Sequence, residues 1–280
     1  MAQILVHKAD ETSEPFDRDK LLRSLLNARA STEVAEKVTA HVEKELVNGM
    51  KTEDIYRHAF EYLRNIAKPL AARYSLRRSL LELGPTGFPF ERIVAEIYRK
   101  KGFETLLDQT VQGRCTDHEV DVVAWNAEQL VMVEAKFHHE LALKTDVKAA
   151  LYIKARYDDL REELFQFGGA SRQLSEFLLV TNTKFTAKAI EYCECSGVRL
   201  IGWNYPRTEN LHHLIDETGV HPITCLTTLS GVEKRNLMEK GIVLCKSVCE
   251  NDDALRAAGL RPDAIEKAKQ ESALLCPPVE

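Results

Sequence analysis

The chain has 280 residues, of which 44% are hydrophobic and 29% are charged, and its formal net charge is -5. This composition excludes a disordered chain, and the length is sufficient for two or three compact domains. No apolar run approaches the roughly 20 residues that span a bilayer, and no signal peptide is recognisable, so we expect a cytoplasmic protein without membrane contact. Seven scattered cysteines favour free thiols over a disulfide framework.

Residues 1–85 predict a small β-hairpin followed by a four-helix bundle. Two short strands flank a polar turn in ILVHKADETSEPFD, and leucines recur at helical spacing in the segment that follows. The helical segments are RDKLLRSLLNA, TEVAEKVTAHVEKELVNG, TEDIYRHAFEYLRNIA and PLAARYSLRRSLLEL. A cluster of glycine and proline from Gly84 to Pro89 indicates a domain boundary.

The motifs VHKAD (6–10), EPFDRDKLL (14–22), MKTEDIY (50–56) and ARY (72–74) occur in an order that resembles the ATP-cone. This domain senses nucleotides at the front of ribonucleotide reductases and in their transcriptional regulators. This chain has Ala9 and Glu11 where the family usually has arginine and glycine. The resemblance implies that ATP or dATP binds as a regulatory ligand at Val6, Lys8, Glu14, Lys20, Thr52 and Tyr56. The alternative is that Lys8 and Lys20 are solvated lysines on a domain that only mediates assembly.

Residues 86–209 predict a mixed α/β sheet with helices on both faces. A helix in FPFERIVAEIYRKKGF precedes three strands, and a long helix then leads into alternating strands and helices. The predicted strands are 103–107, 118–125, 130–137, 176–180 and 198–201, and the later helices are 145–165 and 186–195.

The strand VMVEAKF places a carboxylate and an amine two positions apart, so that Glu134 and Lys136 share a face. Hairpin pairing brings Asp121 beside Glu134, and Glu91 of the preceding helix adds a third carboxylate. Carboxylates that repel each other are tolerated mainly around a divalent cation, and Mg²⁺ or Mn²⁺ suits oxygen ligands beside a phosphate. The alternative without a catalytic role is an exposed ion pair between Glu134 and Lys136.

Together, FERIV (90–94), HEVD (118–121), EAK (134–136) and TNTKFTAKAI (181–190) resemble the PD-(D/E)xK nucleases, specifically the Mrr-like restriction endonucleases. The resemblance implies phosphodiester hydrolysis in DNA, with Glu91, Asp121, Glu134 and Lys136 as catalytic residues. The three carboxylates would hold the metal. Basic residues on or near the long helix are candidate contacts to DNA phosphates or, equally, part of a solvated face: Lys144, Lys148, Lys154 and Arg156.

Residues 210–280 predict a small domain of short helices. Its glycines at 231 and 241 are consistent with a helix-hairpin-helix, in which backbone N–H groups contact a phosphate, or with a packing or dimerisation module.

These patterns predict a metal-dependent DNA endonuclease that is regulated by ATP or dATP and forms a homo-oligomer. One alternative is a nucleotide-sensing DNA-binding regulator with an inactive nuclease fold. Another is an enzyme that resolves branched DNA.

Overall fold

The computed structural model describes residues 4–8 and 11–276. Its N-terminal unit is a three-stranded sheet packed on four helices, with β1 pairing antiparallel to β2 and parallel to β3. The elements are β1 (Leu5–His7), β2 (Ser13–Pro15), α1 (Arg18–Asn27), α2 (Thr32–Glu45), β3 (Met50–Lys51), α3 (Thr52–Ile66) and α4 (Lys68–Leu81). The predicted hairpin and four helices are confirmed, and β3 is an addition that the sequence analysis missed.

Helix α4 belongs to two hydrophobic cores. Ala71 packs with the helices of the N-terminal unit, whereas Ala72, Leu76 and Leu80 pack with the rest of the chain. The two units therefore share a helix rather than meeting across a solvated linker.

The central unit is built on a five-stranded mixed sheet in the order β12-β10-β6-β5-β4. Strands β6, β10 and β12 are parallel, and β4 and β5 extend the sheet as antiparallel hairpins. The elements are α5 (Phe88–Lys100), β4 (Glu104–Gln112), β5 (Asp117–Trp125), β6 (Leu130–Lys136), β7 (Lys144–Thr145), α6 (Val147–Leu160), β8 (Leu164–Phe167), β9 (Ala170–Gln173), β10 (Glu176–Thr181), β11 (Lys184–Phe185), α7 (Ala187–Ser196) and β12 (Arg199–Ile201).

Side chains alternate between the two faces of the central strands, so each face of the sheet contributes to a different hydrophobic core. Val131, Val133 and Ala135 face α5 and the C-terminal helices, whereas Leu130 and Met132 face α6 and α7. The predicted mixed sheet with helices on both faces is confirmed.

The helix predicted over 145–165 ends at Leu160, because the chain then forms the β8-β9 hairpin. Gly168 and Gly169 have φ of 61° and 72°, which suits the tight turn between these strands. A Cβ on Gly168 would also lie only 2.5 Å from Nε1 of Trp125.

The C-terminal unit consists of short helices that close over α4 and α5. They are α8 (Leu211–Thr218), a 3-10 turn (Ile223–Cys225), α9 (Gly231–Glu239), α10 (Cys245–Glu250), α11 (Asp252–Ala257) and α12 (Pro262–Leu275). All seven cysteines are free thiols. Among the described residues, no helix is long and apolar enough to span a membrane.

Candidate functional site

Three carboxylate residues, Asp108, Asp121 and Glu134, occupy neighbouring register positions on β4, β5 and β6. Asp108 falls between the registered pairs Leu107↔Val122 and Gln109↔Val120, which places it opposite Asp121. Its φ of 51° is a left-handed conformation, which interrupts the ladder at this point. On the other side of Asp121, pairing with β6 stops at Val122↔Val133, just before Glu134.

The end of the β5-β6 ladder is held by a side chain instead of the backbone. Asp121 Oδ2 accepts a hydrogen bond from the Ala135 N–H at 2.6 Å, so β6 parts from β5 while its ladder with β10 continues to Lys136↔Thr181. The pKa of Asp121 is raised to about 6 by burial and by Glu134, against the lowering effects of the Ala135 N–H and Arg156.

Glu91 reaches this group from the first turn of α5. Burial raises its pKa to about 7, and repulsion by Asp121, Asp108 and Glu134 contributes further. A Cβ on Gly87 would lie 3.0 Å from Glu91 Oε1, so this glycine leaves room for the carboxylate to fold back over the start of its helix.

Glu134 is engaged by a buried cation from α6. The side chain of Arg156 is 5% exposed, and its guanidinium donates to Glu134 Oε2 and to the Glu119 carbonyl. Arg156 therefore does not lie on a solvated helix face, and its sequence-based assignment as a candidate phosphate contact is wrong. Lys136 is exposed and has no ion-pair partner among the described residues, so the simple Glu134–Lys136 ion pair is not formed.

The donor chemistry of this group suits a hard divalent cation, although the carboxylates are not gathered around one point. The raised pKa values of Glu91 and Asp121 come from burial and mutual repulsion, which a cation would relieve. In the described part of the chain, no three His, Cys, Asp or Glu side chains lie closely enough together to bind a metal ion. Glu134 faces Arg156 instead, so the shared metal site stays a prediction.

The residues predicted to hold a nucleotide are distributed over several surfaces of the N-terminal unit. Glu14 bridges both lysines, with Lys8 Nζ at 2.5 Å and Lys20 Nζ at 3.2 Å. These hydrogen bonds, first from Lys8 and then from Lys20, lower the pKa of Glu14. Lys8 and Thr52 line one large cleft, whereas Glu14 and Lys20 border a separate shallow depression.

The remaining two residues have different environments. Val6 is 3% exposed, so its side chain belongs to the hydrophobic core. Tyr56 stacks on Tyr74 with ring centroids 5.1 Å apart, and the Arg78 guanidinium lies 3.9 Å from its ring centroid. Of the two departures from the family pattern, Ala9 lies outside the described residues. Glu11 adopts the left-handed φ of 63° that glycine would favour, so the turn is kept.

The sequence analysis missed Asp108 and did not identify Arg156 as the partner of Glu134. The position of Asp108 opposite Asp121 follows only from the pairing register of β4 and β5, because the residues around Asp108 in the sequence indicate no more than a strand. The burial of Arg156 has no sequence signal, because Lys154 and Asp158 two positions on either side indicate a charged helix face and Glu134 lies 22 residues away in the chain.

Three family models match the chain: the ATP cone domain over residues 4–82, the restriction endonuclease model of Mrr type over 85–204, and the AF1548-like C-terminal domain over 221–276. These matches confirm the predicted ATP-cone and endonuclease domain.

An uncharacterized protein of Archaeoglobus fulgidus is 34% identical over 178 residues, which are 63% of this chain and 94% of that protein. The crystal structure of AF1548, a protein of unknown function, aligns with 31% identity and a TM-score of 0.54 over 68% of this chain and 98% of that one. Can2 from Sulfobacillus thermosulfidooxidans, solved with cyclic tetra-adenylate, aligns with 13% identity and a TM-score of 0.33 over 74% of this chain and 64% of that one, which is too distant for inference. The chain belongs to the AF1548-like family, with an ATP-cone in front of an Mrr-type restriction endonuclease domain.

Proposed function

We propose that this protein is a metal-dependent DNA endonuclease whose activity responds to ATP or dATP bound by the ATP-cone. The observation that carries the proposal is the group formed by Asp121, Glu134 and Glu91 beside the exposed Lys136, at the place where β5 and β6 part. An endonuclease domain of this type generally uses a divalent metal and acts on DNA.

Each residue of the group has a distinct role in this proposal. Asp121, Glu134 and Glu91 would hold Mg²⁺ or Mn²⁺, which when bound polarises the scissile phosphate and lowers the pKa of the attacking water. Lys136 has no carboxylate partner among the described residues, so its ammonium group is available to orient that water and to stabilise the negative charge that develops.

Purified protein should be incubated with plasmid, linear and branched DNA, with Mg²⁺ or EDTA, and with or without ATP or dATP. We expect cleavage to require Mg²⁺, and we expect its rate to change when ATP or dATP is added. Preference for the branched substrate would identify a resolvase. Cleavage that is absent under every condition would contradict the proposal.

The ion pair between Arg156 and Glu134 favours a second candidate, a nucleotide-sensing DNA-binding regulator that does not cut. In the described conformation, one of the three predicted metal ligands is neutralised by a buried guanidinium, and a metal ion would have to displace it. In an inactive nuclease fold, Glu134 would keep Arg156 as its partner because no metal ion would replace it.

Replacing Arg156 with methionine distinguishes the two candidates. Because Glu134 then loses its partner, the metal-free variant should be less stable by roughly 3 kcal/mol. If the carboxylates form a metal site, Mg²⁺ should raise the melting temperature of the variant by more than that of the wild type. No effect of Mg²⁺ on either protein would favour the regulator.

We further propose a homo-oligomer, because cutting both strands of a duplex requires two active sites. Light scattering across a range of ATP and dATP concentrations tests this, and a monomer under all conditions would contradict it.

A further inference from the structure

A cleft with a volume of about 890 Å³ lies between the ATP-cone and the endonuclease domain. From the cone it is lined by Lys8, Thr52 and the end of α4. From the endonuclease domain it is lined by residues 140–142, which follow the strand of Lys136, and by Lys144 and Lys184. Five of its side chains are cationic, and three are anionic: Lys8, Arg77, Arg78, Lys144 and Lys184, against Glu53, Glu82 and Glu140.

Lys144 and Lys184 are placed against each other by the backbone. They are register partners in the two-residue parallel ladder of β7 and β11, so their side chains leave the same face as neighbours. Like charges in this arrangement are destabilising, and neither lysine has an ion-pair partner among the described residues. An anion in the cleft would offset this repulsion.

Arg77 adds a third positive charge from α4. Its Nη2 donates to the Leu141 carbonyl at 3.3 Å, while its Nε is buried and has no hydrogen-bond partner. Burial, followed by repulsion from Arg77 and Lys144, lowers the pKa of Lys184, which indicates that these cations affect one another across the domain boundary. An unsatisfied buried N–H beside two unpaired lysines is a costly arrangement without an acceptor.

A further feature points to the phosphates of a nucleotide as that acceptor. Lys8 and Thr52, which the ATP-cone pattern places at the nucleotide, line the same cleft as Lys144 and Lys184.

We propose that Lys144 and Lys184 of the endonuclease domain bind the phosphates of the nucleotide held by the ATP-cone, so that ATP or dATP is bound between the two domains. This inference rests on the proposed nucleotide regulation and adds the residues through which it reaches the endonuclease domain.

Hydrogen bonds connect this site to the end of the catalytic strand. His138, two residues after Lys136, exchanges two hydrogen bonds of 2.8 Å with Asn182, and its ring contacts Thr145 Oγ1 at 2.9 Å. Thr145 follows Lys144 on β7, and Asn182 lies two residues before Lys184. A nucleotide that fixes the two lysines would therefore also brace the segment after Lys136.

The test compares full-length wild type, the double variant Lys144→Gln/Lys184→Gln, and the control Lys101→Gln/Lys188→Gln, which removes two exposed lysines outside the cleft. Calorimetry is performed with ATP, tripolyphosphate and adenosine. We expect the cleft variant to bind ATP and tripolyphosphate at least about tenfold more weakly than wild type, since two charged contacts are lost. Adenosine should bind all three proteins equally, and the control should match wild type.

Two results would overturn the inference. If wild type binds ATP and the cleft variant binds it equally well, the inference fails alone and nucleotide regulation by the cone stands; a loss of DNA affinity in the same nucleotide-free variant would then assign the lysines to the DNA surface. If wild type does not bind ATP, both fail.

Discussion

The environment of Lys136 distinguishes between a catalytic and a structural role for this residue. Its side chain is exposed at the end of β6, its register partner on β10 is Thr181, and Glu134 is bound to Arg156 rather than to Lys136. An exposed lysine without an ion pair contributes little to folding, so its replacement should leave the fold intact.

We predict that Lys136→Ala keeps its melting temperature and its affinities for Mg²⁺ and DNA but cleaves about 10²- to 10³-fold more slowly, because the lost charge acts mainly on the transition state. Single-turnover cleavage, with Lys101→Ala as the control, measures this. Cleavage at the wild-type rate would show that EAK is only the polar end of a strand.

At the scale of secondary-structure elements, the last turn of α6 fastens the hairpin between β4 and β5. Asp159 accepts hydrogen bonds from the N–H groups of Cys115 and Thr116 at 2.9 and 3.3 Å and contacts His118 Nε2 at 2.8 Å. Gly113 makes this possible, because a Cβ there would lie 2.4 Å from Asp159 Oδ2. The contacts keep β5, and with it Asp121, in place beside α6.

This attachment should depend on pH. The pKa of Asp159 is held well below its usual range, first by a hydrogen bond with the Cys115 side chain and then by His118 and the two backbone N–H groups. Because the folded pKa is depressed, the stabilisation is complete above the unfolded value of about 3.9 and is lost as the pH falls below it.

We therefore predict that Asp159→Asn lowers the free energy of unfolding at pH 7 and loses less of it between pH 5 and about pH 3 than wild type does. Urea unfolding followed by circular dichroism gives both values, and Asp117→Asn, which removes an exposed carboxylate nearby, is the control. Equal pH dependence in wild type and Asp159→Asn would exclude Asp159 from this role.

At the scale of the whole molecule, Asp216 on α8 connects the ATP-cone to the remainder of the chain. The carboxylate forms ion pairs with Arg29 and, at 3.3 Å, with Arg73, both of which belong to the cone. The side chain of Asp216 is 11% exposed, and Nε2 of the buried His221 lies 3.7 Å from its carboxylate. Together with the shared helix α4, this group fixes the orientation of the cone.

We predict that Asp216→Asn lowers the free energy of unfolding by roughly 1 to 3 kcal/mol, because Arg73, which is 16% exposed, loses its counter-charge, whereas Arg29, which is 53% exposed, stays solvated. Unfolding should remain a single transition, since α4 contributes to the cores on both sides. Differential scanning calorimetry and urea unfolding measure these two quantities. A stability equal to that of Asp253→Asn, an exposed control, would argue against the connection.

The local sequence determined the elements and the chemistry that each one carries. Helical spacing of leucines gave the helices of the cone, alternation gave β5 and β6, and motif order gave both domain families, because all three depend on residues close together in the chain. The shared face of Glu134 and Lys136 likewise follows from the period of a strand.

Long-range packing decided the rest. Arg156 reaches Glu134, Asp108 comes opposite Asp121, and Lys144 meets Lys184 only after strands and helices distant in sequence are assembled. The two faces of α4 also acquire different partners only in the folded chain. Burial and charge pairing are properties of the three-dimensional neighbourhood, and a residue's own sequence context does not specify that neighbourhood.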